Sequence, residues 1–133
     1  MIVVDTNLLV HLYVPGELTT QAEEVLRREP VWVSVPLWRS EFRNALSGFI
    51  RSGALTLAAC KRIVQQAELW MLGREHLVTS ERVLELAAVS GCTAYDCEFV
   101  ALAEAASLRL VTSERQVLRA FPQNAVSPRD FVA

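Results

Sequence analysis

The sequence predicts an α/β fold in which a central, mostly parallel sheet is flanked by helices on both faces. Short runs that are apolar almost throughout, Ile2–Val4, Val31–Val35 and Leu108–Val111, alternate with longer segments of helical periodicity. Strands of that kind are buried on both faces, as in a sheet covered by crossover helices. The five glycines and five prolines are scattered as punctuation rather than gathered into a linker. With 133 residues and no repeat or low-complexity stretch, one domain spanning 1–133 is expected.

The elements follow in order. Ile2–Val4 is a brief strand; Thr6–Tyr13 reads as a helix that Pro15-Gly16 ends. Thr19–Arg28 is a polar, exposed helix. Val31–Val35 is a second strand, and Pro36 opens a helix that runs to about Arg51 and stops near Ser52-Gly53. Leu55–Leu72 places Leu57, Ile63, Val64, Ala67 and Trp70 near helical spacing. Leu77-Val78 reads as a short edge strand, and Ser80–Ser90 as a helix closed by Gly91. Ala94–Ala106 is apolar almost all round, which predicts a buried helix. Leu108–Val111 is a strand, Glu114–Ala120 a short helix, and Ala125-Val126 a last strand. Sheets of this kind carry their sites beyond the carboxyl ends of the strands.

Composition narrows the function classes. Apolar residues make up 52% of the chain and the formal net charge is −2, which excludes a disordered chain. The longest run without a formal charge, Thr6–Gly16, is well short of the roughly 18–20 apolar residues of a membrane span. The chain opens directly on Met1-Ile2-Val3-Val4-Asp5, without the basic start and cleavage site of a signal peptide. Cys60, Cys92 and Cys97 are odd in number and lack C-x-x-C pairing, so packed thiols in a reducing cytoplasm are expected. The slight acidity argues against a generic nucleic-acid binder. Yet all 13 basic residues except Lys61 are arginine, the better phosphate fork, and only three of the 15 acids are Asp.

Four acids stand out by position. Asp5 follows the first strand directly, where it also fits a helix N-cap. Glu41 falls inside the apolar arc formed by Leu37, Trp38, Phe42, Ala45, Leu46 and Phe49, so it needs an Arg partner, a proton or a cation. Asp96 lies in the first turn of the most apolar helix, where Thr93 and Asp96 also read as a capping box. Glu114 follows the strand ending at Val111, with Ser113 and Gln116 as another capping box. Glu98, two positions beyond Asp96, points away from it and reads as solvated or, at most, as standing behind the site acids.

In a parallel sheet these positions converge on one end. Two carboxylates about 5 Å apart repel by about 3 kcal/mol at an effective dielectric near 20. Four gathered together call for a cation or for raised pKa values. All-oxygen ligands favour Mg²⁺ or Mn²⁺ over zinc.

Four segments carry a family resemblance: Val4-Asp5-Thr6-Asn7, Glu41-Phe42-Arg43-Asn44-Ala45-Leu46, Tyr95-Asp96-Cys97-Glu98-Phe99-Val100-Ala101-Leu102-Ala103 and Leu110-Val111-Thr112-Ser113-Glu114. In order and spacing they resemble the motifs of PIN-domain ribonucleases, most closely the VapC-type toxins of prokaryotic toxin–antitoxin pairs. The resemblance covers essentially the whole chain and implies a PIN-like three-layer sandwich. It implies metal-site and catalytic roles for Asp5, Glu41, Asp96 and Glu114, with Asn7 and Thr112 as supporting polar residues. The fourth family acid is usually Asp; the Glu114 that stands here is one methylene longer, still within reach of a metal through water. The implied chemistry is Mg²⁺- or Mn²⁺-dependent hydrolysis of RNA phosphodiesters, with a homodimer and a cognate antitoxin as partners and no membrane. The alternative is a catalytically weak or inactive PIN-like module that binds RNA or protein.

A receiver domain needs a tight early acid pair and a lysine after a late strand, but the only lysine is Lys61, inside a helix. A haloacid-dehalogenase-like hydrolase needs a second Asp that Asp5-Thr6-Asn7 lacks. Arg39 and Arg43, four apart on the polar side of the Glu41 helix, are candidate RNA-backbone contacts, against the alternative of a solvated face. Trp32, Trp38 and Trp70 sit in apolar contexts that favour core or interface over base stacking. His11 and His76 have no neighbour that points to catalysis.

Overall fold

Three residues of β1 (Ile2–Val4) set the layering of the molecule. Ile2 and Val4 point into one apolar cluster and Val3 into another, because successive strand side chains face opposite ways. The computed structural model describes residues 1–133. β1 is followed by α1 (Thr6–Tyr13), α2 (Thr19–Arg28), β2 (Trp32–Val33), α3 (Leu37–Arg51) and α4 (Leu57–Met71). Then come α5 (Ser80–Ser90), α6 (Ala94–Ala106), β3 (Leu110–Val111), α7 (Arg115–Ala120), β4 (Ala125–Val126) and α8 (Pro128–Val132).

The four strands form one sheet in the order β2-β1-β3-β4, and every pairing is parallel. The register sets Val3 beside Val33 and Leu110, and Val4 beside Val111. On one face Ile2, Val4, Trp32 and Val111 pack with α1–α4 around the fully buried Trp38 and Phe42. On the other, Val3, Val33, Leu110 and Ala125 pack with α5, α6 and Val117 of α7. The result is a three-layer sandwich. Burying one Val or Leu contributes about 1.5–3 kcal/mol, so a polar substitution at Val3 or Val4 would split a core cluster from its sheet.

Local chemistry explains the boundaries. Thr56, Thr79 and Thr93 cap α4, α5 and α6, each side-chain oxygen accepting a backbone N–H three residues on. Gly91 closes α5 at φ +73°, a conformation that a Cβ disfavours.

Two expectations are corrected, and one helix is added. Leu77-Val78 is no strand, and Leu77 is exposed; the sheet edge is instead extended by a single parallel bridge between Ser34 and Glu75. The Ser113–Gln116 capping box does not form: Glu114 itself precedes α7, without a side-chain cap. The last helix, α8, was not anticipated, although Ser127 before Pro128 and Asp130 is a start signal, and Ser127 Oγ does accept from Asp130 N–H. No single helix is long and apolar enough to cross a membrane.

Candidate active site

Every strand points its carboxyl end the same way, and β1 and β3 lie side by side there. Asp5 leaves β1 and Thr112 leaves β3 at adjacent points. Asp5 is buried and does two things at once. Its Oδ1 caps α1 by accepting from Leu8 N–H at 3.0 Å, and its Oδ2 accepts from Thr112 Oγ1 at 2.5 Å. Thr112 Oγ1 in turn accepts from the Glu114 backbone N–H at 3.0 Å. The cap reading and the site reading of Asp5 are therefore compatible, since each carboxylate oxygen keeps a further lone pair.

Glu41 projects from α3 toward α1, half-buried. No arginine meets it; Thr6 Oγ1 donates to Glu41 Oε1 at 2.7 Å. Of the alternatives open for Glu41, an Arg partner is ruled out, and its neighbour is a neutral hydroxyl. Asp96 lies in the first turn of α6, with only its backbone N–H bonded to Thr93. Asn7 Nδ2 donates to Glu114 Oε1 at 3.1 Å. Thr6 was not singled out in the sequence, although it sits beside Asp5 at the first position of α1.

Asp5, Glu41, Asp96 and Glu114 all line one cleft of about 440 Å³, and none of its fifteen lining residues is Arg, Lys or His. Their titration reflects this. Burial, reinforced by the Glu114 charge, pushes Asp5 up to about 6 despite the opposing Thr112 and Leu8 hydrogen bonds. Burial raises Glu41, and the charges of Asp96 and Glu114 add to it. Burial raises Asp96 as well. Glu98 is half-buried, the second of its two readings; burial and then the Glu41 charge hold its carboxyl above the usual range.

Acids crowded without a basic counter-charge are the donor set a hard cation completes. No three acidic, His or Cys side chains converge closely enough to form one ion's ligand set. An ion such as Mg²⁺ takes one or two carboxylates and keeps several waters, so it does not require such a set. The donors present fit such an ion.

Other candidates lie elsewhere. Arg39 is held by Glu75, with Nε–Oε2 at 2.7 Å and Nη2–Oε1 at 2.8 Å, and it approaches Glu68 at 3.3 Å. Arg43 is 59% exposed, with Glu68 at 3.9 Å. Neither arginine lines the cleft. Trp32 and Trp38 are fully buried, and Trp70 packs edge-on to Trp32. All three cysteines are buried and free. Burial lowers the pKa of His11, which also lies outside the cleft.

The molecule is thus an all-parallel α/β sandwich with an acidic cleft beyond its strand ends. The chain belongs to the PIN-domain family: the PIN domain profile matches residues 2–122. It is 32% identical over 126 residues to ribonuclease VapC3 of Pyrobaculum aerophilum, covering 91% of this chain and 95% of that protein, which sets it among the VapC-type members. The crystal structure of PAE2754 from Pyrobaculum aerophilum superposes with a TM-score of 0.74 at 23% identity, covering 98% of this chain and 92% of that one. A chain of a toxin–antitoxin complex from Klebsiella pneumoniae gives a TM-score of 0.69 at 16% identity, covering 96% and 98%. These two likenesses carry the fold.

Proposed function

We propose that this chain is a divalent-metal-dependent endoribonuclease and the toxin of a toxin–antitoxin pair. The observation that carries the reading is the cleft holding Asp5, Glu41, Asp96 and Glu114 with no basic side chain among its lining. Family membership and the ribonuclease relative support RNA as the substrate. The likeness to a chain of a toxin–antitoxin complex accords with an antitoxin partner.

In this reading Asp5 and Asp96 hold Mg²⁺ or Mn²⁺, with Glu41 close by and Glu114 at its edge. The ion, when bound, supplies Lewis acidity at the phosphate and makes a bound water more acidic. Thr112 and the start of α1 fix the Asp5 carboxylate in one orientation, and Thr6 does the same for Glu41. Glu41, held above the usual carboxylate range, is suited to take the proton of the attacking water. Asn7 keeps Glu114 from swinging away from the cleft.

The test is incubation of pure protein with total RNA in Mn²⁺ or Mg²⁺, and again in EDTA. Fragments that appear only with the metal are expected. RNA retained on the protein but uncut at every metal concentration would overturn the enzyme in favour of a binding module. A second copy of the chain and a cognate antitoxin are the proposed protein partners, and an antitoxin tail lying in the acidic cleft would abolish cleavage.

A further inference from the structure

The cleft described above has a second, uncharged wall. Tyr95, on the first turn of α6 beside Asp96, is 63% exposed and lines the cleft. It takes part in none of the aromatic pairs, which all lie among Tyr13, Trp32, Trp38, Phe42 and Trp70. An aromatic ring exposed to this degree gains little from the core, so its place in the fold does not explain it. Ser40 and Asn44 stand one turn apart on α3, on either side of Glu41 in sequence, and both are exposed and line the same cleft. Asn44 enters the hydrogen-bond network only through its backbone carbonyl, leaving its amide free. Apolar Leu37 and Phe99 line the same cleft.

The chemistry of that wall is specific. With no guanidinium or ammonium in the cleft, a nucleotide cannot be gripped there through its phosphate by side-chain charge. What remains is an aromatic face, a hydroxyl and a free amide. Those are the groups that hold a base: a ring to stack on, and a donor and acceptor for its edge. A base within a duplex offers neither its face nor its pairing edge.

We infer that Tyr95, with Ser40 and Asn44, forms a base-binding subsite that takes one unpaired nucleotide beside the acidic centre and sets base preference there. This rests on the ribonuclease reading. Tyr95 stacks on the base, and the Asn44 amide, with the Ser40 hydroxyl, addresses its edge. The three residues act on the substrate and touch none of the reacting atoms.

The test uses a short single-stranded oligoribonucleotide carrying 2-aminopurine, whose fluorescence is quenched on stacking, and a blunt duplex of the same strand. Wild-type protein in EDTA, where nothing is cut, should bind the single strand, quench it and bind the duplex more weakly. Tyr95→Ala should lose the quenching and about 5- to 150-fold in affinity, the range expected for one base–aromatic stack. Tyr95→Phe should keep both, because the face is retained. Asn44→Ala should flatten the affinity ranking among oligoadenylate, oligocytidylate and oligouridylate.

Unchanged affinity and quenching in Tyr95→Ala overturns the subsite, as does equal loss in the Phe and Ala variants or tighter binding of the duplex. Cleavage with Mn²⁺ is measured in parallel and separates the two readings. Cutting that does not depend on Tyr95 removes the subsite and leaves the nuclease. Tyr95-dependent quenching without any cutting removes the nuclease and leaves the subsite.

Discussion

Thr6 donates its hydroxyl to Glu41 Oε1 at 2.7 Å, tying the first turn of α1 to the middle of α3 across 35 residues of sequence. Thr6 is buried, so the bond is shielded from competing water on one side. It is the only hydrogen bond that orients the Glu41 carboxylate. Thr6→Val keeps the shape and removes the donor. We expect RNA cleavage to fall about 10- to 100-fold, the usual effect of removing a hydrogen bond that orients a metal-site acid. The fold should lose about 1 kcal/mol. Thr6→Ser should restore most of the activity, and single-turnover rates beside urea melts read both effects.

Asp5 makes stability depend on pH in a predictable direction. Its folded pKa of about 6 lies above the ordinary value of 3.8, so in the absence of metal the folded state binds the proton more tightly. That contribution is fully present below about pH 3.8 and is lost as pH rises through about 6. At 1.36 kcal/mol per pH unit, the rise from 3.8 to about 6 is worth about 3 kcal/mol. In EDTA, Asp5→Asn should therefore gain on the wild type by up to about that amount between pH 4 and pH 7.5. Denaturant melts at the two pH values give the answer; a constant gap would mean that Asp5 titrates as it does in the unfolded chain. Adding Mn²⁺ at pH 7.5 should raise the wild-type midpoint and leave Asp5→Asn nearly unmoved.

Most of the frame was readable because its signals are local. Pro36 and Thr93 before helical runs, and Ser52-Gly53 and Gly91 after them, are short-range chemistry, and the start of α6 and the ends of α3 and α5 follow from them. The inward position of Glu41 was equally legible, since periodicity alone puts a carboxylate on an apolar arc. Its partner was not, because Thr6 reaches it only once two helices pack. The sheet edge failed for the same reason. Leu77-Val78 has strand composition, but the bridge forms at Glu75, whose carboxylate is held by Arg39 and the Trp38 indole N–H. Those contacts are set by tertiary structure rather than by β propensity.

That arrangement separates the two arginines proposed as RNA contacts. Arg39 is 29% exposed and makes a bidentate pair with Glu75, which is 17% exposed and also accepts from Trp38 Nε1 at 2.9 Å. Removing Arg39 strands a partly buried carboxylate, so Arg39→Ala should cost about 1–2 kcal/mol in urea melts. Arg43, more exposed and loosely paired, should cost within about 0.5 kcal/mol on replacement by Ala. If Arg43 touches backbone phosphate, Arg43→Ala should raise KM for RNA, and by less as salt is increased. A KM that rises equally in both variants, with no loss of stability in Arg39→Ala, would make both arginines RNA contacts and the Glu75 pair incidental.

Asp96 offers the cleanest separation of chemistry from folding. Thr93 caps α6 by accepting the backbone N–H of Asp96, a bond that does not need the carboxylate, although Thr93 also favours its charged form. Asp96→Asn therefore keeps the Thr93 cap on the backbone, and loses mainly the attraction of a first-turn charge to the helix dipole, about 0.3–1 kcal/mol. Relief of the charge that Asp96 imposes on Glu41 works against even that loss. The melting midpoint in EDTA should stay close to the wild type's. Cleavage should fall by about a hundredfold or more, because replacing an acid that holds the ion costs at least as much as disturbing a residue behind it. The stabilisation by Mn²⁺ should shrink in parallel. Full cleavage by folded Asp96→Asn would move the metal site away from the start of α6 and remove Asp96 from it.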